Sequence, residues 1–413
     1  MREQTGSFRH GIGLILYVFS LQLSAGENHI GGFGTASLSC FSNEQADYVL
    51  NDQPEGAGRT RDCDAGLDSL LGVQLDLGLH ENLDFGLQLI ADRNEDRSYT
   101  PDVTVAQLRW YPSDATTLRL GRMPTPSFLH SEDRQVRYAQ PWVRPPLEVY
   151  GLIPLFSNDG VELLYRSRLG DWNAEWQGGL TRIEFESPKS NADSTYPVES
   201  RQATLNVSLQ HAGTLIKLGY SYGKVTLKQP DLITLVDALR SMDEAGSPGA
   251  SELADDLAIE DSPWHLLALG MRYEKNSWLF MGEAAYRTIE GFFRDQYGTY
   301  LTLGRWMGPW MPYVTLAKRW TDGPDRDSRA DALGIGGTIE ELLASTRFDT
   351  TSVALGLSRH MGEHLVLKLQ SEWIKPDDNS WGLYTNHAYG YGDADYLNPS
   401  SEWLHTVSLD FVF

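Results

Sequence analysis

The sequence predicts an all-β fold: a transmembrane antiparallel β-barrel of sixteen strands, with long external loops at one rim and short turns at the other. Three observations predict it. From residue 29 onward, sixteen segments alternate apolar and polar side chains, which places one set on each face of a sheet. Beyond the first 25 residues no stretch is apolar enough to cross a bilayer as a helix, so any crossing must be made by strands. The connections also alternate, short after even-numbered segments and long after odd-numbered ones, which a spanning barrel needs and a soluble sandwich does not. Strand boundaries placed from one sequence also accommodate fourteen or eighteen strands.

Taken in order, residues 1–25 read as a cleaved secretory signal. Arg2, Arg9 and His10 form a basic start, Gly11 to Leu23 an apolar run and Leu23-Ser24-Ala25 a small-residue cleavage site. Cleavage removes two basic residues and one acid, moving the formal net charge from −22 to −23. The barrel domain is then 26–413. The composition of the full chain fits a barrel whose lumen-facing residues dilute the hydrophobic average: 39 Gly, 12 Trp and 19 Tyr, with ordinary charge content. The negative balance argues against a nucleic-acid role. The only cysteines, Cys40 and Cys63, end the first segment and precede the second. In an exported protein they are expected to form a disulfide pinning the first external loop; their spacing matches no zinc pattern.

The alternation is plain in the second segment, where Val73, Leu75, Leu77 and Leu79 oppose Gln74, Asp76 and Gly78. It recurs in the eighth (Ala203, Leu205, Val207 and Leu209 against Thr204, Asn206, Ser208 and Gln210) and in the last, where Trp403, Val407, Leu409, Phe411 and Phe413 point outward and Thr406, Ser408 and Asp410 inward. Tight turns fall at 80–82, 112–115, 168–170, 211–213, 275–276, 307–309 and 361–363. Long connections fall at 42–66, 92–101, 123–158, 186–198, 229–262, 323–347 and 376–399, with a shorter one at 290–295. Trp110, Tyr111, Trp172, Trp278, Trp306, Trp310, Phe411 and Phe413 sit beside the short turns, where amphipathic rings would form a belt at headgroup level.

The third long connection, 123–158, stands apart. A structureless loop of this length inside a compact domain calls for a role, and a wide barrel has room for it in the lumen. It carries Glu132, Asp133, Arg134, Arg137, Arg144 and Glu148, and it follows a strand bearing Arg119 and Arg122. Arg109 lies on the strand before, with Leu108 and Trp110 facing outward. A channel needs charged side chains facing a narrow aqueous path. Arg109, Arg119, Arg122, Glu132, Asp133, Arg134, Arg137, Arg144 and Glu148 are therefore the candidate constriction residues. The competing structural reading pairs Arg144 with Glu148 to hold the proline-rich loop and leaves Arg134 and Arg137 in solvent.

Leu118-Arg119-Leu120-Gly121-Arg122, the long loop after it, the count of sixteen and the terminal Phe413 resemble the Gram-negative outer-membrane porins. Gly121-Arg122-Met123-Pro124 through Ser131, with Trp142 to Gly151, is similar to a non-enterobacterial, proteobacterial branch of porin-like proteins. The resemblance implies a third loop folded into the pore, a homotrimer in the outer membrane and passive diffusion of ions and small hydrophilic solutes. In familiar porins the third loop is mainly acidic, whereas here it carries three arginines. A substrate-selective porin for phosphate or carboxylate is the alternative those arginines suggest. No cofactor and no metal are expected.

The fifth loop, 229–262, holds nine acids and one arginine, with a short amphipathic helix at 231–240 presenting Leu232, Leu235, Val236 and Leu239. It reads as a solvated loop folded over the mouth, or as an acidic rim bridged to lipopolysaccharide by divalent ions. Asp322, Asp325, Asp327 and Asp331 loosely resemble a calcium loop but lack its closing Glu. A membrane hydrolase is the remaining reading, with His130, Ser131 and Glu132 adjacent in the chain; a triad requires convergence in space instead.

Overall fold

The computed structural model describes residues 28–50, 53–153, 155–188 and 195–413, so the signal segment 1–25 lies outside the described residues. Sixteen long strands form one barrel. They are β1 (His29–Phe41), β2 (Leu70–His80), β3 (Leu83–Ala91), β4 (Asp102–Ser113), β5 (Thr116–Pro124), β6 (Ser157–Leu169), β7 (Trp172–Pro188) and β8 (Thr195–His211). The second half runs β9 (Thr214–Leu227), β10 (Ser262–Lys275), β11 (Trp278–Ile289), β12 (Asp295–Arg305), β13 (Trp310–Asp322), β14 (Thr350–His360), β15 (Leu365–Pro376) and β16 (Glu402–Val412). Each pairs antiparallel with its neighbours in sequence, and β16 closes the sheet on β1 from Phe33↔Val412 to Phe41↔Leu404. Closure leaves no strand edge unpaired, the condition for crossing lipid with strands.

The two faces divide as the alternation requires. Outward leucines such as Leu180 and Leu301 are 66% exposed, while Thr302 and Thr315 on the inner face are 3% exposed. An apolar band outside and a polar wall inside is the reverse of a soluble protein. Near the short turns, Trp110, Trp278, Trp310 and Phe413 are outward and exposed. Tyr111 departs from this belt: it takes the parity of Arg109 and donates its hydroxyl to Asp84. Trp306 turns away too, donating its ring N–H to Glu274 and packing beside His360. A second aromatic cluster, absent from the sequence reading, lies toward the opposite end, where Tyr297 stacks on Trp320 at 5.3 Å and meets Tyr286, tilted, at 4.8 Å.

The external loops are built. Cys40 and Cys63 are bonded, and the first loop forms a three-stranded patch in which Asp47–Tyr48 pairs with Ala57–Gly58 and with Tyr384–Thr385 of the last loop. The fifth loop folds into α1 (Pro230–Glu244) and α2 (Ala250–Leu257), burying Leu232, Val236 and Leu239. The seventh folds into α3 (Ser328–Ala332) and α4 (Gly336–Ala344). Arg329 joins the two loops through Asp256 at 2.7 Å. Two of the acids that resemble a calcium loop have protein partners: Asp327 caps α3 and Asp325 pairs with Arg294 at 2.5 Å.

Candidate functional site: the barrel interior

The third loop begins after Pro124 and ends before Ser157. Its polar groups bond to the inward set of strands far from its own ends. Trp142 donates its ring N–H to Thr302 and Thr315 at 3.0 Å, and Tyr150 donates to Glu283 at 2.5 Å. Lys217 donates to the Phe128 carbonyl, and Lys368 donates to the carbonyls of Arg137 and Trp142. Tyr138 reaches the Glu363 carbonyl in a short turn at the far rim. Aromatic packing reinforces these bonds, with Trp142 edge-on to Tyr300 and Phe128 against Tyr150. Near its C-terminal end the loop makes a single helical turn, α5 (Leu147–Tyr150), which lies against Gly298 of β12; a side chain at Gly298 would strike the Glu148 carbonyl.

The centre of the anchor is Asp68. Arg144 donates to both its oxygens, from Nε at 3.0 Å and from a terminal nitrogen at 2.5 Å, and Arg137 adds a third bond at 2.5 Å. Ser39 and Thr406 also accept from Arg144, and Glu372 lies 3.6 Å from it. Burial pushes the Asp68 carboxyl up, but the two guanidiniums outweigh it and hold it well below the usual carboxylate range. Arg144 thus pairs with Asp68, and the Arg144–Glu148 pair considered from sequence does not form. Glu148 lies buried beside Glu372; burial first, and that neighbouring charge second, push its carboxyl up to about 7. Arg134 and Arg137 are likewise inside the protein and not in solvent. Arg134 stacks on Phe156 at 4.5 Å and donates to the carbonyls of Tyr150 and Ile153.

Arg109 pairs with Asp76 at 2.5 Å on the inner wall. Arg119 meets Glu132 of the loop at 3.0 Å and Glu162 of β6 at 3.6 Å. Arg122 is a correction. It pairs across strands with Ala106 and Asp159, and cross-strand partners share a face; Ala106 alternates with inward Gln107. Arg122 and Asp159 therefore form a 2.7 Å pair on the outer wall near the external rim, away from the lumen. Asp133 receives His130 at 3.2 Å and Gln140 at 2.9 Å.

The hydrolase constellation does not assemble at His130. The Ser131 hydroxyl accepts from the Phe128 amide and closes a local turn, while the His130 ring faces Asp133. The chain does carry one Gly-x-Ser-x-Gly spacing, Gly219 to Gly223. It lies inside β9, with Ser221 buried, and not at the strand-to-helix turn where such a serine becomes a nucleophile.

Two spaces flank the loop. On the external side of α5 lies a cup of about 400 Å³ between the outer ends of β7–β11 and the first and last loops. On the other side lies a chamber of about 690 Å³ reaching the short-turn rim. Asp114, Glu132 and Glu175 balance Arg166, Arg168 and Lys217 in its wall. Between the two, facing pairs Thr181↔Gln202, Gly179↔Thr204 and Gln177↔Asn206 step down the inner face of β7 and β8. Thr181 Oγ1, Gln202 Nε2, Thr204 Oγ1 and Asn206 Nδ2 are buried there without a hydrogen-bond partner among the described residues. Buried polar atoms of this kind are ordinarily satisfied by water or solute. This seam, together with Asp68, Glu162, Lys217, Glu283 and Lys368, escaped the sequence reading; the available signal was inward parity on strands remote from the loop.

No protein-family model matches the chain, and no curated protein matches its sequence. Solved structures do match its shape. The anion-selective porin from Comamonas acidovorans is 14% identical with a TM-score of 0.52, over 94% of this chain and 100% of that one. The outer membrane channel DcaP of Acinetobacter baumannii is 9% identical with a TM-score of 0.56, over 94% and 98%. OmpF of Salmonella typhi, in complex with daunomycin, is 11% identical with a TM-score of 0.53, over 94% and 97%. Identities this low speak for the fold alone: the chain has the sixteen-stranded antiparallel barrel fold that these outer-membrane channels share.

Proposed function

We propose that the protein is an outer-membrane porin, exported by a signal at 1–25 and assembled as a homotrimer among lipopolysaccharide and phospholipid. Ions and small hydrophilic solutes diffuse through it passively. The third loop narrows the barrel by lying against the β9–β16 and β1 side and reaching Arg119 of β5, which leaves the path along β6–β8. The observation that carries this reading is the closed sixteen-stranded barrel with a polar inner wall, which keeps open space on both sides of the third loop. Arg137 and Arg144 of the loop are held by Asp68, and Arg119 of β5 by Glu132 and Glu162, so these arginines serve chiefly to shape the constriction.

The test is conductance of the refolded protein in a planar bilayer under a KCl gradient. Stepwise ohmic openings are expected, with weak selectivity because the chamber charges balance. Neutralising Arg119 in Arg119→Gln leaves Glu132 and Glu162 unopposed and should shift the reversal potential toward cations. A correctly folded, heat-modifiable barrel that never conducts would refute the porin reading.

A further inference from the structure

The cup on the external side of α5 differs from a general diffusion path in two ways. Its wall is apolar: Ile183, Phe185, Val198, Val225, Trp264 and Ile289 all face inward at the outer ends of their strands. A water-filled pore needs no such lining, and an apolar wall weakens the hold on a hydrated ion. Ligand sites, by contrast, are concave, mostly apolar and provided with a few convergent polar groups.

The polar groups in this cup are hydrogen-bond donors. Arg287 on β11 and Arg319 on β13 face inward two strands apart, flanking Gln296 and Gly298 on β12. Arg287 donates to the Leu152 carbonyl at 2.7 Å and Arg319 to the Gln296 side chain; neither makes an ion pair with a carboxylate among the described residues. Each keeps its Nε–H buried and unpartnered, and Arg319 is only 4% exposed. Gln202 Nε2 and the Tyr384 hydroxyl, on the same wall, are also unpartnered. The acids whose charge reaches Arg319 are Glu148 and Asp349; Asp349 is already committed to Thr321 and Arg347, and Glu148 lies against Glu372. A buried and a half-buried cation side by side without a carboxylate between them are costly unless an anion joins them.

We propose that this cup binds an organic anion made of a carboxylate and an apolar body. The carboxylate bridges Arg287 and Arg319, and the body rests on Trp264 and the aliphatic side chains around it. The arginines are not those of the fifth strand and third loop, whose charges are already matched. The inference rests on the porin reading only for its physiological meaning, since the site would concentrate such solutes above the seam.

The probe is 4-phenylbutyrate, with acetate and 4-phenylbutanol as controls for its two halves. Binding to the refolded barrel is followed by calorimetry, and current through the wild type is recorded with the probe on the external side. Saturable binding and saturable block by 4-phenylbutyrate are expected, with both controls far weaker. In Arg287→Gln/Arg319→Gln the affinity should fall about tenfold per arginine, as for charge-assisted hydrogen bonds. Equal binding of 4-phenylbutanol, or unchanged affinity in the double variant, would overturn the proposal. If that variant does not refold, the three-ligand series on the wild type decides alone. Open channels without saturable binding refute the site and leave the porin; a silent channel with saturable, arginine-dependent binding refutes the porin and leaves the site.

Discussion

Replacing Asp68 by Asn tests whether the third loop is pinned by one carboxylate. The change keeps the shape but removes the charge that receives three guanidinium bonds, two from Arg144 and one from Arg137, at 2.5–3.0 Å. Arg144 is 3% exposed, so the stranded charge cannot reach solvent without moving the loop. Removing one partner of a buried ion pair costs about 3–5 kcal/mol. Glu372, 3.6 Å from Arg144, remains as a weaker partner and argues for the lower end, about 3 kcal/mol. That corresponds to an increase of about 100-fold in the undocked population. Hydrogen exchange read by mass spectrometry should show peptides spanning 137–147 exchanging about 100-fold faster, while the β12 and β13 amides keep their protection. Open-channel noise should rise in parallel. Asp68→Leu/Arg137→Met/Arg144→Met, which removes all three charges, should recover much of the loss, because a buried ionic cluster replaced by apolar groups is often neutral. Unchanged exchange in Asp68→Asn, or a triple variant as mobile as the single, would refute the anchoring argument.

Two further outcomes are expected. The Glu148 carboxyl is raised to about 7, so the docked loop binds more protons than the undocked one between about pH 4.5 and 7; docking should weaken as pH rises through that window. Noise recorded from pH 5 to 8 should therefore increase, and Glu148→Gln should flatten the profile; a pH response unaltered in that variant would count against it. For Cys40 and Cys63, 23 residues apart, alkylation before reduction should label neither, and Cys40→Ser/Cys63→Ser should lose about 3 kcal/mol of first-loop stability, read as earlier proteolysis there.

The barrel was legible because its signals are local. Period-2 alternation, the long-short rhythm of connections and the final Trp403-to-Phe413 strand depend only on which residues must meet lipid and which must not. The helix read at 231–240 was legible for the same reason, its apolar face recurring every turn. Parity alone also carried information that went unused: counting outward from Leu118 and Leu120 already assigns Arg122 to the outer wall.

Alternation along β5 through β9 cannot say what the third loop touches. Arg144 finds Asp68 across 76 residues, and Lys368 finds the Trp142 carbonyl across 226. Those partners meet only because the closed sheet carries β1, β15 and β16 around to the side facing the loop. The pairing of Arg287 and Arg319 across β12 likewise requires the register of three strands at once. The sequence by itself determined the barrel, its orientation and the place of its long loops, since each is set by a residue's own strand and solvent. The tertiary structure decided which charges are spent on anchoring the loop and which remain free to bind, since a buried charge is defined by the partner the fold brings within reach.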